Sequence, residues 1–292
     1  MNDPFRRIVP ENLKFEKLAT GFQFLEGPIW VAAGEYLIFS DIFGNEMKKW
    51  SAKEGASTFR SPSSKANGNA LDKQGRIVTC EHLNRRVSRT ELDGTIVTLA
   101  SHFEGKKLNS PNDVVIKSDG NIYFTDPPSG IQSEKAGQIR PQELDFCGVY
   151  RVTPDGKKLT PLVKDFTKPN GLAFSPDESL LYINDTVEKH IRVFAVKKDG
   201  TLTNGRLFAR LPGDKPGVPD GMKVDSQGNV YCTGSGPGIW IFNPAGDHLG
   251  TILPPEVTAN VGWGESDWKT MFLCATTSLY RIRLNIPGIP IP

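Results

Sequence analysis

The sequence feature that most constrains the fold of this 292-residue chain is one unit that recurs six times. Its clearest copy, residues 112–126, predicts a strand, a tight turn at Asp119-Gly120 and a second strand. The same unit begins at five other polar residues. The first polar residue of each unit is called its origin, and successive origins are 41, 45, 58, 50 and 40 residues apart. Each step is long enough for about four short strands and their turns. The six origins are Glu26, Asn67, Asn112, Asn170, Asp220 and Asn260.

Six such units predict an all-β chain folded as a six-bladed β-propeller. Closing the ring requires the two ends of the chain to share a blade, and the alternation at 13–18 predicts a closing strand within residues 10–20. We therefore predict a single domain over residues 1–292, with a Pro-rich surface tail at 285–292. A β-sandwich with regular hairpins is the alternative, but a sandwich does not require six copies of one polar origin.

The six origins also predict a binding site. The innermost strand of each propeller blade runs along the central channel, so equivalent positions of different blades face one another. All six origins carry side-chain oxygens, and none is histidine or cysteine. Such oxygens suit hard cations, whereas zinc usually takes nitrogen or sulfur ligands, so Ca²⁺ is favoured over Mg²⁺, Mn²⁺ or Zn²⁺. A single Asn-Gly pair would indicate only a turn, but its recurrence in the repeats favours a functional ring.

Other polar residues lie near the end of the returning strand of each hairpin. The carboxylates there are predicted to cap loops, and they are Asp41, Glu81, Asp126 and Asp185. His82 follows directly after Glu81 and is predicted at the rim of the channel as a substrate contact. The long connection at 127–147 predicts a lid over the channel mouth, with an ordinary surface excursion as the alternative.

Composition and motifs exclude several function classes. Lys and Arg number 35 against 33 acidic residues, without a block of like charges, so we expect no nucleic-acid or membrane partner. The sequence shows no signal peptide and no apolar membrane span, which predicts a cytoplasmic protein. The four cysteines lack CxxC spacing and are predicted to be buried free thiols. The sequence contains no Gly-x-Ser-x-Gly motif, so it does not indicate a serine hydrolase.

Four further motifs are Glu26-Gly27-Pro28-Ile29-Trp30, Asn109-Ser110-Pro111-Asn112-Asp113, Pro169-Asn170-Gly171 and Pro219-Asp220-Gly221. They resemble those of the senescence marker protein, gluconolactonase and luciferin-regenerating enzyme family. The resemblance spans nearly the whole chain, and the stretch 80–87 looks most like the bacterial gluconolactonase branch. One departure is Ser110, which stands where animal members of the family place an arginine.

The resemblance implies a metal-dependent hydrolase that opens the ring of a sugar lactone. Its metal ligands would be Glu26, Asn170 and Asp220, with Asn112 as a further ligand or substrate contact. Asp220 is the candidate base, and Asn67 and His82 are predicted substrate contacts. Two other readings stay open at this point. One is an organophosphate hydrolase resembling diisopropyl fluorophosphatase, and the other is a non-catalytic propeller scaffold. The protein is expected as a monomer or homodimer.

Overall fold

The structure is a computed structural model that describes residues 3–291. Met1, Asn2 and Pro292 fall within the predicted domain, and Pro292 within the predicted tail, but they lie outside the described residues. The described chain contains one α-helix, α1 (Pro4–Ile8), and 3-10 turns at Ala32–Gly34 and Ser129–Ile131. Its strands are β1 (Glu16–Thr20), β2 (Leu25–Val31), β3 (Tyr36–Asp41), β4 (Glu46–Ser51), β5 (Gly55–Arg60), β6 (Ala66–Leu71), β7 (Ile77–Glu81), β8 (Arg86–Thr90), β9 (Ile96–Ala100), β10 (His102–Phe103), β11 (Lys106–Lys107), β12 (Val114–Ile116), β13 (Ile122–Asp126), β14 (Cys147–Val152), β15 (Leu159–Phe166), β16 (Pro169–Phe174), β17 (Leu180–Asp185), β18 (His190–Val196), β19 (Leu202–Arg210), β20 (Met222–Val224), β21 (Val230–Thr233), β22 (Ile239–Phe242), β23 (His248–Ile252), β24 (Thr258–Gly264), β25 (Thr270–Ala275) and β26 (Ser278–Arg283).

These strands form a six-bladed propeller, as the repeats predict. Five blades are four-stranded meanders in chain order, and the sixth combines three C-terminal strands with β1; a separate two-stranded ribbon joins β10 and β11. Every origin lies at the start of an inner strand or within the two residues before it. The blades are β2–β5, β6–β9, β12–β15, β16–β19, β20–β23 and β24-β25-β26-β1.

The hairpin turns explain why glycine recurs at the same place in three of the units, as Gly75, Gly120 and Gly228. In the second blade Gly75 has a φ of +78° and donates its N–H to the Asp72 carbonyl. The Asp72 carboxylate accepts the N–H of Gln74 and of Arg76, so it closes the turn from its other side. Glycine takes this left-handed conformation without steric cost, and Asp stabilises the turn through its side chain.

The N-terminal strand closes the ring, and this prediction is confirmed with a shorter strand than expected. Within the predicted segment 10–20, only β1 is extended, and it pairs antiparallel with β26. An ion pair between Glu16 and Arg281, 2.8 Å between carboxylate and guanidinium, crosses the two strands. Closure removes the exposed edge that an open six-blade ring would present.

The core lies between neighbouring blades rather than at the centre of the disc. Alternate residues of each strand meet the next blade, and aromatic side chains fill the wedge between them. Trp30 of the first blade stacks on Phe272 of the sixth at 5.5 Å between ring centroids, and both are buried. All four cysteines are buried and unpaired, as predicted. None of the helices in residues 3–291 is long and apolar enough to cross a membrane.

The C-terminal tail packs against the propeller instead of extending from its surface. Gly288 forms a β-bridge with Asp225 and donates its N–H to the Trp268 carbonyl, 2.8 Å. The residues that follow, 289–291, line a cavity of about 970 Å³ together with the later residues of the inner strands. The cavity therefore lies at the end of the channel away from the six origins.

Candidate active site

The inner strands approach one another closely because glycine follows four of the six origins. A Cβ atom at Gly171 would lie 2.2 Å from the carbonyl oxygen of Asp220, and one at Gly68 would lie 2.6 Å from that of Asn112. In both cases the glycine N–H donates to that same carbonyl, at 3.0 and 2.8 Å. Only glycine permits this spacing, and the polar side chains before it are thereby brought to one channel mouth.

Glu26 is buried at the centre of this arrangement. Its carboxylate accepts the side-chain N–H of Asn260 and the N–H of Gly27, each at 2.8 Å. Burial raises its pKa well above the usual value, and the nearby charges of Asp220 and Asp113 raise it further. A carboxylate in these surroundings strongly favours either a proton or a cation beside it.

Asp220 lies near Glu26, although the sixth blade separates the blades of the two residues. Its side chain, partly exposed at the channel mouth, lies beside those of Asn170 and Glu26. Loss of hydration and the charge of Asp113 raise its pKa to about 7. Asn170 itself donates through its side-chain nitrogen to the Thr186 hydroxyl, 3.1 Å. Three of the predicted ligands thus come together from three blades.

Asn112 lies in the same ring, fixed by its backbone. Its N–H donates to the Thr125 carbonyl, and its carbonyl accepts the N–H of Gly68, both at 2.8 Å. Its side chain is largely buried, and no hydrogen bond to the described residues satisfies it. The amide oxygen is therefore free to contact a cation or a substrate.

Asp113 is a site residue that the sequence reasoning missed. It is 2% exposed and lies close enough to Glu26 and Asp220 to raise the pKa of both. Burial raises its own pKa, while the Lys223 ammonium in the channel opposes this shift. Its Oδ2 atom is buried without a hydrogen-bond partner in the described part of the chain. The signal was in the sequence, because Asp stands here where four other repeats have glycine.

The donor atoms of the ring fit a hard divalent cation. Within residues 3–291 no group of three or more His, Cys, Asp or Glu side chains is arranged to hold a metal. A cation at the ring would therefore be held by the carboxylates of Glu26 and Asp220 together with amide oxygens of Asn112 and Asn170. Such a mixed oxygen set is typical of Ca²⁺, and two carboxylates balance its charge.

The carboxylates of the returning strands anchor loops, as predicted. Asp185 accepts four backbone N–H groups, including those of Thr167 and Lys168 just before Asn170, at 2.8 and 2.9 Å. Asp126 accepts the N–H of Asn109 at 2.8 Å, in the loop that leads to Asn112. These hydrogen bonds fix the loops that precede Asn112 and Asn170 and so position the two side chains. Asp41 and Glu81 hold neighbouring loop and strand groups in the first two blades.

His82 and Asn67 occupy one sector of the mouth. His82 is 2% exposed, and its Nε2 atom lies 3.0 Å from the side-chain nitrogen of Asn67. Its Nδ1 atom lies 3.1 Å from the carbonyl oxygen of Ala136, in the segment 127–147. This segment therefore covers His82 at the channel mouth.

The fold and the site together define a six-bladed β-propeller with an oxygen-rich ring of acidic and amide side chains at one mouth of its channel. The chain belongs to the SMP-30/gluconolactonase/LRE-like family, whose family model matches residues 24–277. This agrees with the resemblance carried by the four motifs.

Individual relatives agree with this assignment. The chain is 33% identical to a gluconolactonase from Zymomonas mobilis, over 96% of this chain and 84% of the relative. A lactonase drp35 from Staphylococcus haemolyticus is 29% identical over 75% of this chain and 66% of its own length. The solved structure of a gluconolactonase from Xanthomonas campestris superposes with a TM-score of 0.90 at 34% identity, covering 97% of this chain and 93% of the other.

Proposed function

We propose that this protein is a metal-dependent hydrolase that opens the ring of a sugar lactone. Support for lactone hydrolysis comes from its family and from relatives of 33% and 34% identity that are named gluconolactonases. The observation that carries the metal dependence is the meeting of Glu26, Asn170 and Asp220 from three blades. The carboxylates of Glu26 and Asp220 are close enough for the charge of Asp220 to raise the pKa of Glu26, and a cation between them would offset this repulsion.

In this proposal Glu26, Asn170, Asp220 and Asn112 supply the oxygens that hold the cation. A bound divalent cation would polarise the lactone carbonyl and favour the ionised form of the carboxylates around it. Ca²⁺ fits the donor set best, and Mg²⁺, Mn²⁺ and Zn²⁺ are the alternatives to test.

Asp220 is the residue we assign as the general base. It stands at the mouth of the channel, partly exposed, where a water molecule can reach it. In its ionised form it accepts a proton from the attacking water as the new bond to the carbonyl carbon forms. The ring C–O bond then breaks, and its oxygen takes the proton back from Asp220 to leave as the hydroxyl group of an open-chain hydroxy acid. Asn112 and Asn67 offer polar groups that orient the hydroxyl groups of the substrate.

The test is the hydrolysis of glucono-1,5-lactone, followed as acid release at constant pH with and without added cations. We expect activity that a chelator removes and Ca²⁺ restores, and a loss of at least about a hundredfold in Glu26→Gln and Asp220→Asn. Asp225→Asn is the matched control, because Asp225 is a buried carboxylate of the same blade as Asp220 but lies beside the tail.

Parallel assays separate this proposal from its rivals. Faster cleavage of organophosphates than of lactones would favour the phosphorus-directed alternative, in which Asp220 attacks directly. A protein that hydrolyses neither class in any of the four cations would be a binding scaffold. Full activity of Glu26→Gln or Asp220→Asn would contradict the roles assigned to the ring.

A further inference from the structure

The two nitrogens of the His82 ring have fixed and different roles. A carbonyl oxygen can only accept a hydrogen bond, so the Nδ1 atom, 3.1 Å from the Ala136 oxygen, must carry the proton. The Nε2 atom is then the acceptor, and the side-chain nitrogen of Asn67 donates to it at 3.0 Å. Burial lowers the pKa of His82 to about 4, which keeps the ring neutral near pH 7. Both nitrogens are thus engaged within the protein.

This arrangement decides which end of the Asn67 side chain faces the substrate. A carboxamide can turn over and present either its oxygen or its nitrogen. Because the nitrogen is bound to His82, the oxygen is left as the free end, and no hydrogen bond to residues 3–291 satisfies it. The backbone carbonyl of Asn67 accepts bonds from Ser40 and Asn69, which hold the residue in place.

The segment 127–147 holds the imidazole in turn. Gly130 packs so closely that a Cβ atom on it would lie 2.7 Å from that of His82 and 2.8 Å from that of Ser110. The Ser110 hydroxyl donates to the Pro127 carbonyl, 2.6 Å, and accepts the N–H of Gly130, 2.8 Å. The base of the segment is therefore clamped against His82.

We propose that His82 is a positioning residue that presents the Asn67 carboxamide oxygen as a hydrogen-bond acceptor to a hydroxyl group of a polyhydroxylated lactone. The inference rests on the proposed function and specifies its substrate class. His82 acts on the substrate through Asn67 instead of touching it. Since the Nδ1 bond to Ala136 orients the ring, the segment 127–147 helps to hold the acceptor in place.

Two substitutions of similar size separate this role from a packing role. In His82→Gln the terminal amide can supply an acceptor near the position of Nε2, whereas His82→Leu fills the space without one. We expect KM for glucono-1,5-lactone to rise about tenfold in His82→Leu, as for one lost hydrogen bond, and to stay within about twofold in His82→Gln. With δ-valerolactone, which has no hydroxyl groups, both variants should match the wild type.

A double-mutant comparison tests whether the effect passes through Asn67. Adding His82→Leu to Asn67→Ala should change KM for glucono-1,5-lactone no further. Equal losses in His82→Leu on both lactones, or additive effects of the two substitutions, would overturn the proposal. The exposed His102→Leu is the control for a histidine exchange.

A measurement without turnover keeps this inference separate from the proposed function. Nitrogen-15 NMR of the histidine rings at pH 7 should show His82 protonated at Nδ1, and Asn67→Ala should shift its Nε2 signal. Protonation at Nε2 would overturn the inference even in an active enzyme. If the wild type opened neither lactone, the proposed function would fail, and the NMR result would still decide how His82 holds Asn67.

Discussion

Replacing Asp220 with Asn should have opposite effects on stability in the absence and presence of a divalent cation. Without a cation, burial and the charge of Asp113 raise the pKa of Asp220 to about 7. In an unfolded chain the pKa is about 3.9, so the folded protein binds more protons between these values. Its free energy of unfolding therefore falls as the pH rises from about 4 to 7. An uncharged Asn removes this penalty.

The size of the effect follows from the shift. Roughly three pKa units correspond to an upper bound of about 4 kcal/mol at pH 8. Because Asp220 is partly exposed to solvent, we halve this bound and expect Asp220→Asn to be about 2 kcal/mol more stable in chelator. A cation at a hundred times its dissociation constant stabilises the wild type by about 2.7 kcal/mol. The variant should lose most of this gain, because one of the two carboxylate ligands is absent.

Thermal unfolding at pH 8, followed by circular dichroism in chelator and in excess Ca²⁺, measures both effects. The melting temperatures of wild type and variant should change order between the two conditions. Asp225→Asn is the control: Asp225 accepts hydrogen bonds from Asn229 and Tyr231 beside the tail, so this variant should lose stability equally in both conditions. An Asp220→Asn protein that is less stable than wild type in chelator, or that gains as much from Ca²⁺, would refute the reasoning.

Two further predictions concern the strands and loops that position the ring. Gly171→Ala places a Cβ atom 2.2 Å from the Asp220 carbonyl oxygen. We therefore expect the free energy of unfolding, measured in urea, to fall by about 1–3 kcal/mol and the activity to fall with it. An unchanged unfolding midpoint would contradict the close approach. Burial raises the pKa of Asp126 to about 7, so the free energy of unfolding should fall progressively as the pH rises from about 4 to 7. Asp126→Asn keeps an acceptor for the Asn109 N–H and should flatten that part of the pH profile of stability. An unaltered profile would contradict the shift.

The propeller could be predicted from the sequence because its period is a property of the chain itself. Each blade carries its own turn residues and its own polar origin, so local patterns determined the number of blades and the closing strand. The helix α1 gave no such signal, since five residues cannot show helical periodicity; it is held by Ile8, which packs in a cluster with Tyr231 and Trp263. The tail was predicted as a surface extension because proline limits ladder pairing, but proline does not prevent packing, and Gly288 forms a bridge with Asp225.

The candidate site was predictable to the extent that it repeats. Glu26, Asn170 and Asp220 follow one rule, a polar side chain at the start of an inner strand, and the structure brings them together. Asp113 falls one position outside that rule and was missed. The burial of His82 could not be foreseen either, because Ala136 and Gly130 cover it from a segment some 50 residues further along the chain, and local patterns carry no information on such contacts.

The most direct test of the account is anomalous diffraction from crystals of the protein grown with Mn²⁺, whose signal identifies the bound ion. We expect one strong peak on the channel axis, within coordination distance of side-chain oxygens of Glu26, Asn170 and Asp220, and displacement of that peak by excess Ca²⁺. A ring that stays empty at saturating metal, or a peak bound elsewhere on the chain, would contradict it.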